Sequence, residues 1–122
     1  MKKTYETGIW GEQKAAEWLI HNKGMTLLEH RYKNSAGEID LIMLDADTVV
    51  FVEVKTRLNA EPGTGMLAVD HRKQQRIAKA AFLFLGTKRW HNRPVRFDVA
   101  EICGENVFHI PDAFQPGRMF FA

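Results

Sequence analysis

Two stretches of strand-like alternation, Glu38 to Leu44 and Val49 to Thr56, stand only a short polar segment apart, and a chain carrying them is strongly biased toward a β-hairpin at that point. Asp45-Ala46-Asp47 supplies the turn, without the Asn-Gly or Asp-Gly pair of the tightest hairpins. Alternate side chains of an extended strand share a face. Glu38, Asp40, Ile42 and Leu44 therefore lie together, opposite Ile39, Leu41 and Met43, while Val49, Phe51, Glu53 and Lys55 lie opposite Val50, Val52 and Val54. With Ala46-Asp47 as the loop, Leu44 pairs with Val49, Asp40 faces Glu53, and Glu38 faces Lys55. A register shifted by two residues keeps all four charges on one face, and only a one-residue slip separates them.

Around the hairpin the period changes. From Tyr5 to Lys23, Ile9, Ala16, Leu19 and Ile20 recur at helical spacing, and Gly24 is a good C-terminal stop. Met25 to Tyr32 has strand character. Arg57 to Ala68, with Glu61-Pro62-Gly63-Thr64-Gly65, has no period and reads as a mobile loop. A second helix is predicted over Val69 to Leu85, with Val69, Ile77, Ala80, Ala81 and Phe84 on one side. Pro94 opens a strand from Val95 to Ile102, and Gly104-Glu105-Asn106 turns the chain into a last strand over Val107 to Ile110. The order αβββαββ favours an α/β sandwich with a mixed sheet flanked by helices; a wholly antiparallel α+β sheet is the competing fold. At 122 residues and 45% hydrophobic content, residues 1–122 are expected to form a single domain around one core.

No apolar run approaches the roughly 20 residues of a membrane span. Met1-Lys2-Lys3-Thr4-Tyr5-Glu6 turns polar where a signal peptide needs an apolar region, so a soluble, cytoplasmic protein is expected. Cys103 is the one cysteine, which excludes an internal disulfide and a multi-cysteine zinc site and suits a reducing compartment.

The formal net charge of +2 conceals a segregation. Between His71 and Arg96 there is no Asp or Glu, but there are Arg72, Lys73, Arg76, Lys79, Lys88, Arg89, Arg93 and Arg96. A solvated helix face followed by a basic loop accounts for such a run. A polyanion-binding surface is the functional alternative.

Carboxylates directly opposed on a sheet repel, and the apolar residues around Asp40 and Glu53 make their desolvation worse. Either Lys55 and Glu38 neutralise one another at a solvent-facing hairpin end, or Asp40 and Glu53 bind a divalent cation with Lys55 pointed at it. Hard oxygen ligands of this kind suit Mg²⁺ or Mn²⁺. Glu12 falls inside the apolar stripe of the first helix, which makes it either a rim residue reaching water or a third candidate ligand. Lys73 lies on the apolar side of the second helix, where snorkelling to solvent is the plain explanation. His21, His30, His71, His91 and His109 have no ligand-like spacing and read as surface residues. Zinc, Walker, catalytic-triad and dinucleotide motifs are missing from the sequence.

Gly37-Glu38-Ile39-Asp40-Leu41-Ile42, Val50-Phe51-Val52-Glu53-Val54-Lys55-Thr56-Arg57, the Lys73 helix, Arg96-Phe97-Asp98-Val99 and the segment Gly8 to Glu12 together resemble the bacterial YraN family over nearly the whole chain. That family resembles the PD-(D/E)XK nucleases, with Holliday junction resolvases as the nearest analogy. Asp40 matches the motif's Asp and Glu53-Val54-Lys55 its E-x-K, while Ile39 stands where the motif has proline. The resemblance implies a restriction endonuclease-like αβββαβ core and Mg²⁺- or Mn²⁺-dependent hydrolysis of phosphodiester bonds in DNA. Asp40, Glu53, Glu12 and the Val54 carbonyl are then the expected metal ligands, with Asp40, Glu53 and Lys55 catalytic. Arg57, Arg72, Lys73 and Arg76 are expected on the substrate phosphates. A resolvase makes two cuts and so implies a homodimer. The competing readings are a catalytically silent nucleic-acid-binding or recombination accessory protein, and an interaction subunit whose basic stretch meets an acidic partner.

Overall fold

The computed structural model describes residues 2–57 and 69–115, and side chains from residue 7 onward. The chain runs α1 (Lys2–Lys23), β1 (Thr26–Asn34), β2 (Gly37–Asp45), β3 (Thr48–Arg57), α2 (His71–Lys88), β4 (Val95–Cys103) and β5 (Asn106–Ile110), the order expected from the sequence. The strands form one sheet in the order β1-β2-β3-β4-β5. All neighbours are antiparallel except β3 and β4, which are parallel and joined through α2. The sheet is therefore mixed. The expected loop falls mostly on residues 58–68, outside the described residues, although Arg57 itself closes β3. Among the described residues no helix is long and apolar enough to cross a membrane.

Each sheet face buries its own cluster. On one side Ala15, Ala16 and Leu19 of α1 pack over Leu41, Met43, Val50, Val52, Ala100 and Ile102. On the other, Ile77, Ala80, Ala81 and Phe84 of α2 pack over Ile42, Val49, Phe51, Phe97 and Val99. The face of α1 turned to the sheet centres on Glu12, Ala15, Ala16 and Leu19, so Ile20 points outward and is exposed, contrary to its expected place in the apolar stripe. Asp70 caps α2, its carboxylate accepting the Lys73 amide at 2.9 Å.

The two-residue hairpin loop is present, with Leu44 opposite Val49 and Asp45 opposite Thr48. The ladder continues to Leu41 opposite Val52 and stops. Alternation also fails here, because Ile39 joins Ile42 in the α2-side cluster instead of lying with Leu41 and Met43. On the other edge of β2, Arg31 lies between the His30–Leu41 and Tyr32–Ile39 pairs with φ +53°, a left-handed conformation unfavourable for a residue with a Cβ. Backbone irregularity thus flanks Asp40 on both sides.

Helix α1 crosses β3 closely at Gly11, where an added Cβ meets the Thr56 hydroxyl at 1.9 Å. Gly11→Ala should consequently push the helix off the sheet and destabilise the fold by about 1–3 kcal/mol, measurable by denaturant unfolding. Gly11→Ala combined with Thr56→Ala should recover most of that loss.

Candidate active site

Where the β2–β3 ladder ends, a side chain takes over from the backbone. Asp40 Oδ2 accepts the Val54 N–H at 2.8 Å, occupying the place of the next ladder rung. In extended backbone the N–H and C=O of one residue point to the same edge, so the Val54 carbonyl also faces this opening. Strand β3 meanwhile stays paired with β4, Glu53 opposite Val99 and Lys55 opposite Glu101. The opposition of Asp40 and Glu53 expected across a regular hairpin becomes a cleft between parting strands.

The cleft packs acids closely against lysines. Glu53 is 6% exposed. Its Oε2 lies 2.5 Å from Lys73 Nζ and 3.6 Å from Lys55 Nζ. Burial and the neighbouring Glu53 push Asp40 up to about 8, with Glu12 adding to the rise and the Val54 amide and Lys73 opposing it. Lys55 is lowered, first by burial and then by Lys73, against the pull of Glu53 and Asp40. Lys73 is raised even though burial lowers it, because Glu53, Lys55 and Asp40 outweigh that burial. Two acids and two lysines are thus packed so that one proton distribution strongly constrains the others.

Several sequence expectations change at this point. Glu38 does not face Lys55, because the hairpin has opened before reaching it; in the sheet it stands opposite Lys33 on β1. Lys73, expected at the rim, reaches inward to Glu53. Glu12 is buried, but it is held by His30 Nε2 at 2.7 Å and Arg31 Nε at 2.9 Å. The left-handed turn at Arg31 lets these two consecutive residues reach the same carboxylate. Among the described residues no three His, Cys, Asp or Glu side chains form a group able to hold a metal ion. Asp40 and Glu53 nonetheless fit Mg²⁺ or Mn²⁺, since Mg²⁺ commonly takes one or two protein carboxylates and keeps several waters.

Arg57, at the end of β3, lies 3.5 Å from Glu101, which is fully buried on β4. Glu101 borders the site without having been singled out by the sequence; its position opposite Lys55 becomes visible only once β3 and β4 are paired in parallel. Arg72 and Arg76 are exposed near the same end of α2. Arg96 is withdrawn from the basic stretch by Asp98 and Asp45. His30 is exposed as expected, although its ring meets Glu12, whereas His109 is not a surface residue: its side chain is buried and its Nε2 lies 2.8 Å from Asp98.

Because Asp40 is raised, its protonated form is favoured by folding, and the associated stability is lost as pH climbs from the ordinary carboxylate range through about 8. Asp40→Asn keeps an acceptor for the Val54 amide. Its metal-free melting temperature should equal or exceed that of the wild type, with the gap widening up to about pH 8. Thermal scans across that range check this, and a gap that narrows with pH refutes it. Mn²⁺ should raise the wild-type melting temperature and leave Asp40→Asn largely unmoved.

A sequence profile described as uncharacterised protein family UPF0102 matches residues 11–102. Similar chains include a UPF0102 protein of Pseudomonas putida, 47% identical over 100 residues, which span 81% of this chain and 80% of the relative. A UPF0102 protein of Syntrophus aciditrophicus is 42% identical over 119 residues, 94% of this chain and 93% of its own. One of Persephonella marina is 38% identical over 107 residues, 88% and 91% of the two chains.

Proposed function

The chain belongs to the UPF0102 family, and we propose that it is a metal-dependent nuclease of the restriction endonuclease-like class that hydrolyses phosphodiester bonds in DNA. The observation carrying this reading is the cleft itself: Asp40 and Glu53 with Lys55 beside them, at the point where β2 and β3 part. A scaffold alone has little use for a carboxyl group pushed up to about 8 by burial and by a second acid. Asp40, Glu53 and the Val54 carbonyl are the groups to hold Mg²⁺ or Mn²⁺. Bound there, the ion supplies Lewis-acid polarisation of the phosphate and activation of water.

The protein's own residues do the rest. Lys55, its ammonium disfavoured by burial and by Lys73, is suited to take a proton from the attacking water. Lys73 balances Glu53 in the resting site and is placed to turn to a phosphate oxygen once another cation meets that carboxylate. Arg57 sits at the mouth, held by Glu101, where a guanidinium can meet a phosphate. The Lys73–Glu53 contact favours one second reading, a silent nucleic-acid-binding protein in which the lysine permanently replaces the metal. Cleavage assays on duplex, flap, single-stranded and four-way-junction DNA with Mg²⁺ or Mn²⁺ separate the two. Metal-dependent cutting by wild type that is lost in Glu53→Gln supports the nuclease; no cutting of any substrate supports the silent protein.

A further inference from the structure

We propose that Arg31 is a positioning residue for Asp40: its left-handed backbone turns the β1–β2 ribbon over at the step where Asp40 directs its carboxylate into the cleft. This rests on the nuclease reading of the cleft and adds to it what sets the aim of Asp40, which can be measured without metal.

In the β1–β2 ladder His30 faces Leu41 and Tyr32 faces Ile39, so Arg31 and Asp40 stand opposite one another between two paired rungs. Residues two apart on a strand ordinarily share a face. Here they do not, and both strands change face at the same step. His30 and Leu41 lie on the α1 side, the histidine on Glu12 and the leucine in the cluster beneath α1. Tyr32 and Ile39 lie on the α2 side, the tyrosine ring edge-on to Phe84 at 5.1 Å. The ribbon is thus turned over about the Arg31–Asp40 pair, and of these two it is Arg31 that carries a positive φ, at +53°. An irregularity within a strand re-aims the side chains beside it, as bulges do near active sites. The side chain re-aimed here is that of Asp40, which accepts the Val54 amide at 2.8 Å where the next ladder rung would be.

A left-handed arginine inside a strand is unfavourable, and contacts from α1 offset that. The guanidinium meets the buried Glu12 carboxylate through Nε at 2.9 Å and Nη2 at 3.4 Å. Gly8 leaves it room, since a Cβ built there would stand 3.3 Å from Nη2. Neutralising Glu12 does not by itself require this conformation, because His30 Nε2 already lies 2.7 Å from the same oxygen, Oε1. What the positive φ adds is the turn of the backbone. Glycine adopts such a φ freely, whereas a β-branched residue is least able to. Backbone and charge can therefore be separated. Arg31→Gly and Arg31→Val both remove the guanidinium and leave Glu12 to His30, but they differ in how well they tolerate φ +53°.

Amide hydrogen exchange in EDTA reads the aim of Asp40 directly, because its carboxylate holds the Val54 N–H. Val50, paired with Met43 in the regular part of the hairpin, is the reference for global opening. In Arg31→Gly, Val54 should exchange within about threefold of the wild-type rate; in Arg31→Val it should exchange at least about tenfold faster, with Val50 unchanged. Calorimetric titration with Mn²⁺ should follow the same order, Arg31→Gly binding at least about tenfold more tightly than Arg31→Val. If Val50 loses protection along with Val54, Arg31→Ala takes the place of Arg31→Val, and a difference from Arg31→Gly of at least about threefold is then expected. Equal Val54 exchange in the two variants compared overturns the proposal, as does equal Mn²⁺ affinity where the wild type binds the ion. A wild type that cuts DNA while the two variants exchange alike keeps the nuclease assignment and loses Arg31 as a positioning residue. One that neither binds Mn²⁺ nor cuts, yet whose Val54 is protected in Arg31→Gly and exposed in Arg31→Val, keeps Arg31 in that role and loses the nuclease.

Discussion

Asp98→Ala should lower the stability of the fold by about 3–5 kcal/mol, enough to remove a large part of what holds a chain of this size together. Asp98 is fully buried on β4, with Arg96 Nε on one carboxylate oxygen at 2.9 Å and Arg96 Nη2 on the other at 3.1 Å. His109 Nε2 at 2.8 Å and the Asp112 amide at 3.0 Å complete its shell. Burial alone would raise its pKa, but hydrogen bonds from His109, Arg96 and Asp112 outweigh that and hold it below the ordinary range. Removing the carboxylate strands each of these donors. His109 suffers most, since its side chain is 4% exposed and its Nδ1 already lacks a partner. A depressed carboxylate contributes stability that is complete above its unfolded pKa and is lost as pH falls through the lower folded value. Wild type should accordingly lose this contribution only in acid, while Asp98→Asn should show part of the loss already at neutral pH. Chemical denaturation at pH 7 decides the matter. A loss under about 1 kcal/mol for Asp98→Ala would show that the network contributes little.

The hairpin and the order of elements are legible in the sequence because period-two and period-3.6 patterns are local, and the turn at Ala46-Asp47 fixes the register for several pairs. What a local pattern cannot carry is the end of that register. Nothing in Glu38-Ile39-Asp40 announces that Asp40 will turn into the strand plane and bond the Val54 amide, so regular geometry carried Glu38 on to Lys55. Glu12 illustrates the same limit. Its misfit on an apolar stripe is plain from helical spacing, but its partners His30 and Arg31 depend on a positive φ at a non-glycine residue. The roles of Lys73 and Glu101 depend on parallel pairing and helix docking between distant segments, to which single-segment periodicity is blind.

Lys55→Gln should leave the fold, metal binding and most DNA affinity intact and lower cleavage by about 10² or more. The structure removes the simplest alternative for this lysine, that it exists to neutralise Glu38, because the β2–β3 ladder ends at Leu41 opposite Val52 and Lys55 meets Glu53 instead. What Lys55 meets is Glu53 at 3.6 Å, a carboxylate already served by Lys73 at 2.5 Å. One ammonium suffices for one carboxylate, so replacing Lys55 should cost about 1 kcal/mol or less at a position still partly open to solvent. Its loss should therefore register in chemistry and not in folding. Burial and Lys73 lower its pKa, favouring a neutral amine able to accept a proton from water. If that is its task, the wild-type rate rises with pH as Lys55 deprotonates, and the variant lacks that limb of the profile. Glu53→Gln should abolish cleavage differently, by removing the Mn²⁺-induced rise in melting temperature that Lys55→Gln retains. Lys55→Gln cutting at the wild-type rate, with an unchanged pH profile, would reduce this lysine to a spare counter-ion and withdraw the catalytic role assigned to it.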